Sequence, residues 1–118
     1  MRIESIGVIG AGIMGSGITQ LIASCGLEVV MVDINQAAID KGLQSISSSF
    51  DRLVKKEKMT LEEKNAALGR IKPSLDYNSL KGLDLVIEAA TENKPIKEKI
   101  LKQLDDICDA STIIATNT

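Results

Sequence analysis

Apolar residues from Ile3 to Ile9 form a short, β-branched run that stops at Gly10, the pattern of a strand covered on both faces. Met14, Ile18, Leu21, Ile22 and Cys25 then recur at helical spacing. This predicts a helix with that stripe in the core and Gly26 as its stop. Val29 to Val32 reads as a second buried strand ending at Asp33. Asn35 is placed to cap a long helix whose apolar positions are Ile39, Leu43, Ile46, Phe50 and Leu53, and which dissolves in Lys55-Lys56-Glu57-Lys58. Thr60 and Glu63 make a capping box for a shorter helix reaching Gly69.

Ile71 to Leu75 reads as an edge strand, because Pro73 has no N–H to give a central ladder. Leu85 to Ile87 is a further buried strand. Asn93 or Lys94 opens a helix with Pro95 in its first turn and a stripe of Ile96, Ile100, Leu101, Leu104, Ile107 and Cys108. Thr112 to Thr116 is the last strand. Strands alternating with helices predict an α/β fold, a doubly wound parallel sheet of Rossmann type. The 37 positions between Asp33 and Ile71 exceed a minimal crossover, so a helical excursion joins the second and third strands. The chain stops two residues after the fifth strand, where such a fold normally continues. Residues 1–118 are therefore expected to be one domain of a longer protein.

Composition narrows what this sheet can do. Fourteen basic against sixteen acidic residues give a net charge of −2, too little positive field for nucleic-acid binding. Phe50 and Tyr77 are the only aromatics, so no base-stacking platform exists. Histidine is absent, which removes the commonest general base and metal ligand; Asp105, Asp106 and Asp109 read as a solvated helix face, and no metal is expected. Met14 and Met31 fit core positions. The separated Cys25 and Cys108 make no disulfide or zinc framework. With no signal peptide and no apolar run near the roughly 20 residues of a membrane span, a cytoplasmic protein without membrane partners is expected.

The chemistry lies at the first strand–helix junction, Gly10-Ala11-Gly12-Ile13-Met14-Gly15. In this context the three glycines serve a tight turn, close approach of a pyrophosphate to the backbone, and close helix–strand packing. The following helix start offers N–H groups and a positive dipole end to a diphosphate. Asp33 stands eighteen residues beyond Gly15 at the end of the second strand. A carboxylate there accepts bonds from ribose hydroxyls and repels a 2′-phosphate, which favours NAD over NADP. Capping of the next helix is the other reading of Asp33.

Together these residues resemble the NAD-binding domain of the 3-hydroxyacyl-CoA dehydrogenases, particularly the bacterial 3-hydroxybutyryl-CoA type. The resemblance covers essentially the whole chain and rests on Ile6 to Ile18, Asp84-Leu85-Val86-Ile87-Glu88-Ala89, Glu92-Asn93 and Ala115-Thr116-Asn117-Thr118. It implies that Ala89, Glu92 and Lys97 take part in holding NAD, with Glu92 and Lys97 at its nicotinamide half. It also implies that Asn117 is a supporting active-site residue near nicotinamide and substrate, and that Ser49 and Lys56 touch the CoA of an acyl-CoA substrate. Arg52, one turn from Ser49, would extend that stripe, although a solvated basic face accounts for the same charges. The resemblance places the catalytic histidine, the glutamate that orients it, and a helical dimerisation domain further along the chain. This chain alone is then expected to bind NAD without turning over, within a homodimeric parent. A non-enzymatic NAD-sensing module and a dehydrogenase of another small hydroxyacid are the competing readings, since a fold alone does not fix function.

Overall fold

The computed structural model describes residues 3–89, 94–108 and 112–116. Its elements in chain order are β1 (Ser5–Ile9), α1 (Ile13–Ser24), β2 (Glu28–Val32), α2 (Gln36–Lys55), α3 (Leu61–Gly69) and β3 (Ile71–Ser74). A 3-10 turn (Tyr77–Leu80), β4 (Leu85–Glu88), α4 (Lys94–Ile107) and β5 (Ile113–Thr116) follow. All five strands pair in parallel in the order β3-β2-β1-β4-β5. The order reverses between β1 and β4, so a crevice opens at their carboxyl ends, where ligands of doubly wound sheets bind. The helical excursion is α2 followed by α3, and β3 is the edge strand that Pro73 requires.

Strand alternation divides the interior into two layers. On one face Val8, Val29, Met31 and Ile71 pack against Ala23 of α1, Ile39, Ile46 and Phe50 of α2, and Ala67 of α3. On the other, Ile9, Val32 and Val86 meet Leu80, Ile100 and Leu104. Phe50 is completely buried, and burying a side chain of that size stabilises the fold by roughly 1.5–3 kcal/mol. Asn35 caps α2 by accepting from the N–H groups of Ala37 and Ala38. Thr60 and Glu63 form the reciprocal capping box of α3. The Thr60 backbone N–H, and then its hydroxyl-side contact, hold the Glu63 carboxyl below its ordinary pKa. Arg70 Nη1 donates to the Ala23 carbonyl at 2.8 Å and so satisfies the end of α1 from across the layer.

Three expectations change. The first strand begins at Ser5 and not Ile3, because the N–H groups of Glu4 and Ser5 are taken by the Asp84 carboxylate. The stripe of α1 is also different: Met14 is 51% exposed, and Leu21 and Cys25 are exposed too. The face turned to the sheet is Gly15, Ser16, Thr19 and Ala23, flanked by the half-buried Ile18 and Ile22. The cause is proximity, since a Cβ at Gly15 would lie 1.9 Å from the Gly10 carbonyl oxygen. A helix starting that close admits only small residues, and its larger apolar side chains turn outward. The 3-10 turn at Tyr77–Leu80, capped by Asp76 accepting from Asn78 N–H, has no counterpart in the expected elements. Met31, in contrast, is fully buried as its pattern requires. Among the described residues no helix is long and apolar enough to cross a membrane.

Candidate functional site

The loop after β1 is held from two directions. Gly10 has φ 109°, a conformation that L side chains rarely adopt, and its N–H donates to the Val32 carbonyl at 2.7 Å. Ala11 N–H donates to Asp33 Oδ2 at 3.0 Å, and Asn35 N–H donates to Asp33 Oδ1 at 3.0 Å. One carboxylate therefore ties the loop to the start of α2. Asn35 is the helix cap, so Asp33 is not occupied by that task. Each of its oxygens has capacity for a further donor.

Gly12 is the N-cap of α1 and brings no side-chain bond. A Cβ built on it meets nothing within 4 Å, so the approach to the helix start is open. Ile13 and Met14 project beside it into solvent. Gly42, inside α2, has its Cβ position 2.7 Å from the Ala11 carbonyl oxygen, so α2 presses on the same loop from below. Sequence reading passed over Gly42. A glycine inside a long helix costs roughly 1 kcal/mol relative to Ala, and that cost was the available signal of close approach.

A cleft of about 820 Å³ opens beside the loop. It is lined by Ile9 and Gly10 after β1, Asp33 and Ile34 after β2, Leu75 to Asn78 after β3, and Lys99, Ile100 and Gln103 of α4. Its size and its mix of apolar walls and few polar groups match a small-molecule site. Burial, and then the negative charges of Asp33 and Glu88, push the Tyr77 hydroxyl above its ordinary pKa of 10.0, so it stays a neutral donor. Tyr77, Ile34, Lys99 and Gln103 were not singled out from sequence as site residues. Their elements meet only through the crossover, and no local spacing announces that.

At the end of β4 the Ala89 N–H donates to the Ile9 carbonyl at 2.9 Å and extends the strand pairing to the crevice. Lys97 Nζ lies 3.5 Å from Glu88 Oε1, with Glu88 fully buried and Lys97 12% exposed. Lys97 is therefore turned inward, toward the strand end, and is not a solvated helix charge. On the far side of α1, Ser49 Oγ accepts from Gln20 Nε2 at 2.8 Å. Lys56 caps the end of α2 in solvent. Ser49 and Lys56 stand apart from the cleft, on the excursion. Glu92 and Asn117 lie outside the described residues.

Residues 5–118 match the family model of the 3-hydroxyacyl-CoA dehydrogenase NAD-binding domain. A 3-hydroxybutyryl-CoA dehydrogenase of Clostridioides difficile is 42% identical over 96% of this chain, and the match covers 40% of that relative. The crystal structure of (S)-3-hydroxybutyryl-CoA dehydrogenase from Ralstonia eutropha superposes with a TM-score of 0.96 at 56% identity, covering 99% of this chain and 41% of that one. The Escherichia coli K12 3-hydroxyadipyl-CoA dehydrogenase is 35% identical over the whole chain and 25% of its own length. The chain thus spans well under half the length of these relatives. Its open glycine cradle and the carboxylate at the cleft rim fit a dinucleotide. On its sequence, its sheet and that match, this chain belongs to the 3-hydroxyacyl-CoA dehydrogenase family, as an NAD-binding domain.

Proposed function

We propose that the protein containing this domain interconverts (3S)-3-hydroxyacyl-CoA and 3-oxoacyl-CoA, with 3-hydroxybutyryl-CoA as its substrate. NAD, when bound, supplies the hydride chemistry. Gly10, Ala11, Gly12, Ile13, Met14 and Gly15 receive its diphosphate at the start of α1, where backbone N–H groups and the helix dipole oppose the negative charge. Asp33 receives the adenosine ribose and disfavours a 2′-phosphate. Ala89, Glu92, Lys97 and Asn117 hold the nicotinamide half, and Ser49 and Lys56 meet the CoA. The observation that carries this reading is the Asp33 carboxylate, bonded to Ala11 N–H and standing at the rim of the 820 Å³ cleft.

These 118 residues contain no histidine, and in this reading the base that takes the proton from the substrate hydroxyl belongs to a further domain of the protein. That domain is helical in this reading, carries the dimer contact, and belongs to a cytoplasmic enzyme of fatty-acid or butyrate metabolism. Calorimetric titration of the chain with NAD tests the binding half: saturable heat is expected, and no response at millimolar NAD overturns it. Assay with acetoacetyl-CoA and NADH tests the other half. Steady NADH consumption by the purified chain would show that the base lies within residues 1–118.

A further inference from the structure

Glu88 is a carboxylate at the last position of β4, paired in register with Ile9 and fully buried. A buried carboxylate is costly without a compensating partner, and Lys97 Nζ stands 3.5 Å away, itself only 12% exposed. The pair joins α4 to the strand end at the point where the sheet order reverses. Its field also reaches the cleft, where Glu88 is one of the charges acting on the Tyr77 hydroxyl. The residue that follows, Ala89, donates its N–H to the carbonyl of Ile9, and Ile9 lines the cleft, so the carboxylate stands next to a residue bonded to the cleft wall.

We propose that Glu88 is a positioning residue for the cofactor site, holding Lys97 inward and cancelling its charge, so that an oxidised nicotinamide ring is accepted beside an ammonium group. The inference rests on the proposed placement of the nicotinamide half beyond β4. The oxidised ring is cationic and the reduced ring is neutral. A bare Lys97 repels the first and leaves the second nearly unaffected. Glu88 and Lys97 together present no net charge, so neither redox form is penalised. Glu88 touches no substrate atom in this scheme and acts through Lys97.

The test is the ratio Kd(NAD⁺)/Kd(NADH), measured by calorimetry and by NADH fluorescence on the wild-type chain, Glu88→Gln, Lys97→Met and the double variant. Glu88→Gln should raise the ratio by at least about tenfold, since an uncompensated unit charge at an effective dielectric near 20 has that effect at about 12 Å and a larger one when closer. The double variant, neutral again, should return it to within about twofold of wild type. Equal loss of both affinities in Glu88→Gln, with an unchanged ratio, would mean a purely structural carboxylate and overturn the proposal. If Glu88→Gln does not fold, Lys97→Met decides: the ratio should fall, and an unchanged ratio overturns the proposal. Wild-type chain that binds neither dinucleotide would instead defeat the proposed function.

Discussion

Asp33 and Asp84 make nearly the same bonds at opposite ends of the sheet. Asp33, after β2, accepts from the N–H groups of Ala11 and Asn35; Asp84, before β4, accepts from those of Glu4 and Ser5. Both are carboxylates that tie one segment of backbone to another. At the carboxyl end the strand order reverses and the tie borders an open cleft beside a bare helix start. At the amino end the strands are closed by further backbone pairing, Asp84 N–H to Ser5 carbonyl and Ile113 N–H to Asp84 carbonyl. Similar local chemistry thus borders an open cleft at one end and is a closed fastening at the other. Topology decides which.

The sharpest way to break this contrast is Gly15→Ala. Its Cβ would sit 1.9 Å from the Gly10 carbonyl oxygen, and backbone cannot yield as a flexible side chain does. Loss of about 1–3 kcal/mol of stability is expected, with NAD affinity reduced by more than about 100-fold; denaturant melts and calorimetry report both. Asp33→Ala comes next. It should weaken NAD by about ten- to a hundredfold, from the usual worth of hydrogen bonds to a charged group. NADP should lose much less, and equal losses would remove Asp33 from the ribose.

Gly17→Ala serves as the counterpart of Gly15→Ala, since a Cβ at Gly17 in the same helix meets nothing within 4 Å. It should stabilise the chain by about 0.5–1 kcal/mol and leave NAD binding intact. The smallest effect belongs to Asp84→Asn, with NAD affinity within about twofold of wild type. The Glu4 and Ser5 backbone N–H groups hold the Asp84 carboxyl below its ordinary 3.8. Its stabilising contribution is therefore full above that ordinary value and disappears as pH falls through the lowered one. Thermal melts of wild type and Asp84→Asn should differ at neutral pH and converge in acid. A gap that persists at the lowest pH would assign the difference to packing.

Much of the architecture was legible in local pattern. The capping box at Thr60 and Glu63, the Asn35 cap and the edge strand at Pro73 each follow from one residue's bonding capacity, and each is found where expected. Helix α1 was misread because helical periodicity reports which residues share a face, while the distance to the sheet decides which face is turned inward. With the Gly10 carbonyl at the helix start, small residues take the inner side and Met14 and Leu21 the outer. The same limit hid Tyr77, Lys99 and Gln103, whose shared cleft exists only after α4 crosses the sheet.

By itself the sequence determined the parallel α/β class, the glycine turn and the carboxylate eighteen residues beyond it, because periodicity, turn geometry and capping act over a few neighbouring residues. Only the tertiary structure decided that Asp33 grips the Ala11 amide, that Gly42 presses on the loop, and that Lys97 turns in to a buried Glu88. Those relations depend on distances between elements far apart in the chain, which close packing sets and no local spacing encodes.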